Sequence, residues 1–381
     1  MPDLKRIASI DDMRALARKR LPRSIFEFID GGAGAGTTAA RNMTDFSKHQ
    51  LLPRCSIDVS VRSSTTHIVG FESKLPLILA PTGFAGLFWP KGEIAAASAA
   101  ADAGIPFCLS TNSVCSIEEV ANAVPAGDRW FQLYFLKDQA LMSSMLARAK
   151  ASGYRVLCLT LDLPVQGRRD NDIRNAFTVP LKPRFSTAFE VAMRPGWALR
   201  ALRGDVKFGN FQDDVASGGF MSIAQRVASL CDASADWSSV SRLVEEWGGP
   251  VVLKGILNPL DVSKAIEVGA DAIIVSNHGG RQLDHVPSAI DALPAVIEAA
   301  GGGIPVILDG GVRRGTDIAI AMALGASACM IGRPFLWGLA SNGERGVARS
   351  IEIFREELDT ALAILGVTRV TDLSKQPLQP Q

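Results

Sequence analysis

The residues His278 and Arg281 have the types and the spacing that most directly suggest chemistry. Two glycines separate them, and an apolar, β-branched run at 272–275 precedes them and predicts a buried strand. Histidine can accept a proton near neutral pH, whereas arginine is a fixed cation. Such a pair suits the removal of a proton from a substrate that carries its own negative charge. A histidine in such a turn could also be purely structural.

Two glycine- and arginine-rich turns later in the chain suggest a phosphate site. The first occupies 309–315, and the second begins with Gly332, Arg333 and Pro334. Glycines expose backbone N–H groups, helix N-termini carry partial positive charge, and arginines can clamp oxygens. Because both turns follow apolar, strand-like runs, we expect them to hold a phosphate group between them.

Eight short apolar stretches, each followed by a helical pattern, must position these residues. The predicted strands are at 76–80, 106–109, 130–134, 155–161, 251–254, 272–275, 305–309 and 328–332. The alternation predicts an α/β fold, a closed (β/α)₈ TIM barrel, with an open doubly wound sheet as the alternative. Barrel enzymes place catalytic groups at the C-terminal ends of strands and phosphate after strands seven and eight, which is where the two glycine-rich turns lie.

The remaining segments are predicted to extend one domain that spans residues 1–381. Residues 1–69 form an N-terminal helical extension, an insertion at about 175–247 interrupts the fourth strand–helix unit, and a long helix covers 344–365. A chain of 381 residues is long for one domain, but α/β barrels routinely reach this length.

Composition and charge exclude several classes of protein. The chain has 40 basic and 39 acidic residues and a net charge of +1, so nothing global points to nucleic acid. The six cysteines show no CxxC pair and no metal-like spacing with the four histidines, so we expect free thiols and no metal site. A charged N-terminus without an apolar signal region, and the lack of a run of about 18 apolar residues, favour the cytoplasm.

A basic and apolar stretch at 181–207 leaves two interpretations open. It contains six basic residues against only Glu190 and Asp205, with aromatic and aliphatic residues interleaved. This composition is typical of a segment that lies on a membrane surface, and it suggests peripheral contact with the cytoplasmic face of a membrane. A surface loop or lid that packs on its own barrel is the alternative.

Motifs spread over essentially the whole chain resemble the FMN-dependent α-hydroxy acid oxidases and dehydrogenases. The most specific is the nine-residue string at 276–284, and the others come in the family's order at 75–83, 109–111, 132–134, 160–162, 167–169, 253–255, 309–313 and 332–333. The stretches at 81–86, 89–93 and 194–197 look most like the (S)-mandelate dehydrogenase branch. The resemblance implies a TIM barrel that binds FMN across its mouth.

The resemblance implies a set of FMN-binding residues. The flavin ring would be lined by Pro81, Thr82, Gly83, Ser110, Gln132 and Thr160. Lys254 would lie near flavin N1 and stabilise negative charge there, and Ser276 would contact the cofactor. The ribityl chain and the phosphate would be held by Asp309, Gly311, Arg313, Gly332 and Arg333.

The resemblance also implies how substrate is bound and oxidised. His278 would remove the α-hydrogen as a proton, or the hydroxyl proton, and Asp162 would orient its ring and stabilise the imidazolium. Tyr134 would hydrogen-bond the substrate, and Arg169 and Arg281 would clamp its carboxylate.

The implied reaction is the oxidation of an (S)-2-hydroxy acid to a 2-oxo acid, with electrons passed through FMN to a quinone-type carrier or to O₂. Gly83, where oxidases of the family often carry alanine, favours a carrier other than O₂. The resemblance also implies a homo-oligomer, expected to be a tetramer.

Phe28 departs from the family pattern. The family usually has a tyrosine at this position after Leu21 and Pro22, so one hydroxyl contact to the substrate carboxylate is missing. The phenyl ring offers an apolar wall instead, which favours an aromatic or otherwise bulky, mandelate-like substrate. Two alternatives stay open: oxidation of an amine or of a peptide-derived hydroxy or amino compound on the same barrel, and a flavin-binding protein without catalytic activity.

Overall fold

Eight parallel strands close into a barrel in the computed structural model, which describes residues 4–175, 185–202, 208–211 and 230–380. In chain order the strands are β1 (His49–Leu51), β2 (Thr66–Ile68), β3 (Phe71–Ser73), β4 (Leu77–Leu79), β5 (Phe107–Ser110), β6 (Arg129–Tyr134), β7 (Val156–Thr160), β8 (Val251–Ile256), β9 (Ala272–Ser276), β10 (Val306–Asp309), β11 (Ala328–Ile331) and β12 (Leu378–Pro380). The barrel runs from β4 to β11, and β11 pairs with β4 to close it. The predicted TIM barrel is confirmed, and the open sheet is excluded.

Helices follow the barrel strands and surround them. In chain order they are α1 (Ile10–Arg20), α2 (Arg23–Asp30), α3 (Thr37–Thr44), α4 (Gly92–Ala103), α5 (Ile117–Ala123), α6 (Gln139–Ala151), α7 (Asp170–Arg174), α8 (Phe185–Ala192), α9 (Pro195–Ala201), α10 (Trp237–Trp247), α11 (Val262–Glu267), α12 (Ala289–Ala300), α13 (Gly315–Ala323) and α14 (Arg333–Leu365). Short 3₁₀ helices lie at Leu4–Arg6, Asp45–Lys48, Ala85–Leu87, Pro259–Asp261 and Val370–Lys375.

The last helix is longer than the 344–365 that the sequence pattern predicts. It begins directly after β11, because Pro334 is compatible with the first turn of a helix. Its backbone breaks at Asn342 and Gly343, which have non-helical dihedral angles, so only the half beyond the break carries a continuous helical pattern.

Apolar side chains fill the barrel below its mouth and leave one end for function. The interior cluster includes Ile78, Cys108, Trp130, Cys158, Val252, Ile274, Ile307 and Met330, each at most 1% exposed. At the N-terminal end of the strands, Ile68 and Phe71 of the β2–β3 hairpin pack against this cluster and cover it. The polar residues at the C-terminal ends of the strands therefore lie at the opposite, open end of the barrel.

The N-terminal extension packs on the outside of the barrel and brings α2 to its mouth. Helices α1 and α2 contact α14, and β1 pairs antiparallel with β12, so the two ends of the described chain are joined. A capping box fixes the start of α1, because the Ser9 hydroxyl accepts from Asp12 N and the Asp12 carboxylate accepts from Ser9 N. The boundary of this extension at residue 69, and the assignment of 1–381 to one domain, stay predictions.

The predicted insertion is described only in parts. Residues 176–184, 203–207 and 212–229 lie outside the described residues, and they include both ends of the basic stretch 181–207. In its described middle, α8 and α9 expose four large apolar side chains, Phe189, Met193, Leu199 and Leu202, at 56–84%. The indole of Trp197 is buried and donates to Leu87 O, which attaches α9 to the loop after β4. None of the described helices is long and apolar enough to cross a membrane.

The segment 208–211 anchors the insertion to the loop after β5. The Asn210 side chain is fully buried, its amide donates to Ser110 O, Thr111 O and Ser113 Oγ, and its oxygen accepts from Ile117 N. A side chain at Gly209 would collide with the backbone of Cys115 and Ser116, so only glycine permits this approach. The chain then reaches α10, which serves as the helix of the fourth unit although it lies within the predicted insertion.

Glu93, in the first turn of α4, joins the loops that follow β4 and β5. It is 1% exposed, and Oε1 accepts from Val114 N at 2.9 Å and Gly86 N at 3.4 Å. Burial raises the pKa of this carboxyl, although the backbone hydrogen bonds oppose the rise. Oε2 is buried without a partner among the described atoms. A neutral, protonated carboxyl loses less free energy in such a position than an ionised one.

Two replacements of Glu93 should distinguish the contribution of its hydrogen bonds to stability from the effect of its charge. Glu93→Ala should lower the free energy of unfolding by about 2–6 kcal/mol, because two buried N–H groups lose their acceptor at about 1–3 kcal/mol each. Glu93→Gln keeps an acceptor and cannot ionise. Since the folded-state pKa of Glu93 is raised above the ordinary 4.5, this carboxyl should reduce the stability of the wild type as pH rises from 4.5. The melting temperature of Glu93→Gln should therefore increase relative to that of the wild type between pH 4.5 and pH 8. The exposed Glu298→Gln serves as control, and parallel pH curves for wild type and Glu93→Gln would contradict this account.

Candidate active site

A cavity of about 370 Å³ opens at the C-terminal ends of the barrel strands. Most of the residues that the sequence predicts for the site line it: Phe28, Pro81, Thr82, Gly83, Tyr134, Arg169, Lys254, His278, Arg281, Asp309, Gly311, Arg313, Gly332 and Arg333. They come from α2, from the C-terminal ends of different strands and from the loops after them, so only closure of the barrel brings them together.

His278 and Asp162 form a close pair at this cavity. His278 Nδ1 lies 2.9 Å from Asp162 Oδ1, and both side chains are mostly buried. Burial acts to raise the pKa of Asp162, but the charge and the hydrogen bond of His278 outweigh it and hold the pKa below its ordinary value. An ionised Asp162 favours the tautomer with the proton on Nδ1, so Nε2 is the nitrogen that can accept a proton.

The backbone at His278 is strained and held in place. Its φ of 56° lies in the left-handed region, which non-glycine residues seldom occupy. Such strain costs about 1–3 kcal/mol and persists where surrounding contacts fix it, often at functional sites. Here His278 N donates to Ser276 Oγ at 3.0 Å, and the His278 ring stacks on Tyr134 with a 6.4 Å centroid distance.

Two other residues of the 276–284 string attach it to the N-terminal extension. Asn277 and Asn42 exchange two amide hydrogen bonds of 2.8 Å, and Asp284 accepts from the N–H groups of Gly36, Thr37 and Thr38 at the start of α3. The string is therefore partly a structural motif that fixes the loop carrying His278 and Arg281.

Lys254, Ser276 and Asp309 form a buried network on the floor of the cavity. Lys254 Nζ lies 2.8 Å from Asp309 Oδ2 and 2.9 Å from Ser276 Oγ, and the Ser276 hydroxyl donates to Asp309 at 2.7 Å. Burial lowers the pKa of Lys254, but the carboxylates of Asp309 and Asp162 outweigh burial and raise it above the ordinary value. Lys254 is thus held as a cation at the cavity floor.

Three partly buried arginines surround the other end of the cavity. Arg281 donates to the carbonyls of Phe28, Ile29 and Gly31, and Arg333 donates to those of Ile29, Gly31 and Gly279. Both guanidinium groups therefore bind the C-terminal end of α2, where helix carbonyls lack partners and carry partial negative charge.

The third arginine, Arg313, lies over the ring of Trp337, and its Nε is buried without a partner among the described atoms. Burial, together with the charge of Arg333, lowers the pKa of Arg313 to about 9. Burial lowers the pKa of Arg333 to about 10, and the charge of Arg169 acts in the same direction. Burial, together with the charges of Arg169 and Arg333, lowers the pKa of Arg281. Such crowded cations at a cavity favour an anionic ligand.

Gly311 must be a glycine for this end of the cavity to form. Its φ is 86°, and an added Cβ would collide with the carbonyl of Asn42. The loop after β10 therefore lies directly on the N-terminal extension, and its N–H groups are brought to the cavity without a side chain between them.

The remaining predicted site residues lie behind the cavity wall. Ser110, Gln132, Thr160 and Ser276 are at most 3% exposed and lie at or near the C-terminal ends of β5, β6, β7 and β9. Gln132 accepts from the Ser110 hydroxyl and from Thr111 N. Gln132 Nε2, Thr160 Oγ1 and Asp162 Oδ2 are buried without partners among the described atoms. Buried polar atoms of this kind indicate that a ligand completes the site.

Arg169 faces the cavity beside an acid that the sequence analysis did not select. Arg169 Nη1 lies 3.7 Å from Asp172 Oδ2, and Arg169 Nε donates to Arg281 O. Burial lowers the pKa of Arg169, and Asp172 opposes that shift. The spacing of three residues on a short helix, i to i+3, is the signal that could have identified Asp172.

An aromatic wall faces Arg169 and His278. Phe28 packs edge-on against Phe84 at 5.8 Å and lies 6.5 Å from Phe88, while Arg281 lies over its ring at 5.3 Å. Phe84 has a φ of 64°, so the turn after Gly83 directs this ring. Of this wall, only Phe28 is predicted from the sequence. Other lining residues that the sequence pattern does not indicate include Asn112, Leu163, Gln166, Cys231 and Leu336.

Comparison with known proteins gives a consistent result. The chain matches a family model described as FMN-dependent dehydrogenase over residues 17–380. It is 40% identical over 372 residues to an L-lactate dehydrogenase of Caulobacter vibrioides (strain NA1000 / CB15N), which covers 97% of both chains.

Two solved structures extend the comparison. One is described as the monotopic membrane protein (S)-mandelate dehydrogenase, and it matches with a TM-score of 0.95 and 36% identity over 99% of this chain and 100% of that one. A mandelate oxidase with 3,3-difluoro-2-hydroxy-3-phenylpropionic acid matches with a TM-score of 0.84 and 34% identity, over 98% and 99% of the two chains.

The cavity fits the cofactor that the family model names. The phosphate of FMN is an anion, and the arginines at one end of the cavity have donors and charge for it. The flavin ring carries hydrogen-bonding edges, and the unpartnered Gln132 Nε2 and Thr160 Oγ1 lie behind the wall near the cationic Lys254. Each feature belongs to the protein itself and matches a different part of FMN.

Proposed function

The chain belongs to the FMN-dependent dehydrogenase family, whose reaction is the oxidation of 2-hydroxy acids, and we propose that its substrate is an aromatic or otherwise bulky (S)-2-hydroxy acid, which it converts to the 2-oxo acid. One observation carries the proposal: a base, His278, fixed by Asp162, faces the same cavity as the buried cations Arg169 and Arg281 and an aromatic wall. This combination serves a substrate with a proton to lose, a carboxylate and an apolar side chain.

FMN, when bound, accepts the electron pair that side chains alone cannot accept. In this proposal Arg313 and Arg333 hold its phosphate, together with the N–H groups near Gly311 and Gly332. Pro81, Thr82, Gly83, Ser110, Gln132 and Thr160 surround the ring, Lys254 supplies a positive charge beside it, and Ser276 and Asp309 hold Lys254 in place. Each of these assignments rests on the position of the residue at or behind the cavity wall.

Proton removal falls to His278. Its Nε2 takes the proton from the substrate, either from the α-carbon or from the hydroxyl, and Asp162 stabilises the imidazolium that results. Tyr134 stacks beside His278, and burial followed by the charge of Asp162 raises the pKa of its phenol, so Tyr134 remains a neutral donor to the substrate oxygen. Arg169 and Arg281 bind the substrate carboxylate.

The size of the substrate follows from the wall. Phe28 presents carbon where the family's tyrosine would offer a hydroxyl to the carboxylate, and Phe84 and Phe88 pack beside it. Apolar surface of this kind favours an aromatic substrate by burial. The similarity to enzymes described as mandelate dehydrogenase and mandelate oxidase supports this choice. Lactate is the second candidate, favoured by the relatives described as L-lactate dehydrogenases.

The acceptor and the location form the last part of the proposal. We assign a quinone-type carrier as acceptor, with O₂ as the alternative, because Gly83 lines the cavity at a position where oxidases of the family often carry alanine. A membrane-dissolved carrier agrees with peripheral attachment to the cytoplasmic face through α8 and α9, which expose Phe189, Met193, Leu199 and Leu202. A relative described as a monotopic membrane protein supports this. The tetramer stays a prediction.

Replacing His278 tests the proposed base. His278→Gln should keep FMN and lose about 10²–10⁴-fold in the rate of anaerobic flavin reduction by a 2-hydroxy acid, which is the usual contribution of a positioned base. The rate is measured by stopped-flow absorbance. His285→Gln, an exposed residue of the same loop, is the control and should reduce normally. A folded, FMN-loaded His278→Gln that reduces at the wild-type rate would remove His278 from the mechanism.

Replacing Phe28 tests the substrate class. Mandelate should reduce the flavin much faster than glycolate or lactate, and Phe28→Tyr should narrow the gap by improving the small acids, because a hydrogen bond to a charged group contributes about 1.5–3 kcal/mol at most. The measurement is anaerobic flavin reduction over 2-hydroxy acids of increasing size, with amino acids as controls. A wild type that prefers lactate would establish the second candidate, and reduction by amines with release of ammonia would establish amine oxidation instead.

A vesicle assay tests membrane attachment. The protein should co-sediment with vesicles that contain phosphatidylglycerol and detach as salt rises, because surface charge is screened over about 8–10 Å at 0.1–0.15 M salt. Leu199→Asp with Leu202→Asp should abolish binding, whereas Leu260→Asp, equally exposed but outside α8 and α9, should not. Deleting 181–207 should leave FMN binding intact. No sedimentation of the wild type at low salt would favour the loop or lid interpretation.

A further inference from the structure

A carboxylate lies inside the proposed carboxylate-binding end of the cavity. Asp172 lines the cavity, its side chain is 22% exposed, and its Oδ2 lies 3.7 Å from Arg169 Nη1. Arg169 precedes α7, which begins at the next residue, so the short helix places Asp172 back over the guanidinium three residues earlier. A 2-hydroxy acid that binds Arg169 would therefore bring a second negative charge next to Asp172.

Asp172 is coupled to both proposed clamp arginines. Burial raises the pKa of Asp172, and the charges of Arg169 and then Arg281 oppose the rise. Arg169 is 12% exposed, so water screens this end of the cavity weakly. The acid Asp170 on the same helix differs: its partners are Arg168 and Arg174, whose side chains are 81% and 69% exposed, and it does not line the cavity.

We propose that Asp172 is a specificity-determining residue that restricts the site to ligands with a single negative charge. Arg169, Arg281 and Asp172 together carry one net positive charge, which one carboxylate neutralises. A ligand with two carboxylates would place its second charge against Asp172 with no further cation of the clamp to bind it. This proposal rests on the proposed function in one respect, the assignment of Arg169 and Arg281 as the carboxylate clamp.

The proposal makes a quantitative statement about charge. The Coulomb energy between Asp172 and a ligand is proportional to the ligand's charge, so removing the charge of Asp172 should change log Kd in proportion to that charge. Asp172→Asn removes the charge and keeps the shape. A neutral ligand should be unaffected, a monoanion should bind on the order of tenfold tighter, and a dianion on the order of a hundredfold tighter.

The experiment uses the FMN-loaded enzyme and ligands that lack the hydroxyl and cannot be oxidised. Phenylacetamide, phenylacetate and phenylmalonate carry charges of zero, minus one and minus two at pH 8, and acetamide, acetate and malonate form a second series without the ring. Dissociation constants come from the change in flavin absorbance. Asp170→Asn is the matched control and should leave all affinities within twofold. Asp172→Ser is a second variant, and FMN content and melting temperature show that each protein is folded.

The outcomes separate this proposal from the proposed function. Affinity gains that increase with ligand charge in Asp172→Asn or Asp172→Ser, and not in Asp170→Asn, would support the role of Asp172 even if no 2-hydroxy acid reduces the flavin. Equal changes for all three charges, weaker anion binding, or no change would overturn it even if 2-hydroxy acids reduce the flavin well. The ring-free series keeps the test independent of whether the substrate is aromatic.

Discussion

Burial of positive charge at the barrel mouth is the constraint on which the rest of the site depends. Burial acts to lower the pKa of Arg169, Arg281, Arg313 and Arg333, because desolvation disfavours a charged guanidinium group. Part of the compensation comes from the carbonyls at the end of α2, which accept from Arg281 and Arg333. A bound phosphate or carboxylate would bring negative charge next to these cations and stabilise them further. The same contacts hold α2, and therefore Phe28, at the cavity.

Positioning of the base is linked to the same network of charge. Ser276 Oγ binds Lys254, donates to Asp309 and accepts from His278 N, so the residues that stabilise the buried cation also fix the backbone of His278 in its left-handed conformation. Asp162 then fixes the ring from the opposite side, and the Asn277–Asn42 pair fixes the loop. The contacts that hold the strained backbone of His278 in place are therefore partly the same contacts that form the proposed cofactor site. A change at Lys254 or Asp309 would therefore disturb the base as well as the cofactor.

The sequence predicted the barrel and most of the cavity because strand periodicity and the motifs are local signals. Alternating apolar runs are readable residue by residue, and the family motifs lie at strand ends that a closed barrel must bring together. What the sequence could not predict depends on distant contacts. Three such features join residues that are far apart in the chain: the contact of α2 with Arg281 and Arg333, the aromatic wall that includes Phe84 and Phe88, and the anchor at Asn210. The length of α14 was missed because its break at Gly343 interrupts the periodic pattern.

Substrate selectivity must then come from residues other than the shared base, clamp and cofactor residues. Enzymes described as acting on lactate and on mandelate are both similar to this chain along nearly its whole length, so the shared base, clamp and cofactor residues cannot by themselves distinguish a methyl group from a phenyl ring. In this chain, Phe28 on α2, Phe84 after β4 and Asp172 on α7 determine the size and the charge of the cavity around the clamp. Each is supplied by a segment that is added to the barrel or follows a strand, and each contacts a clamp arginine or the wall beside it. The size and charge of the accepted substrate can therefore change without a change in the reaction. The barrel fixes the reacting groups, while these segments determine which acid reaches them.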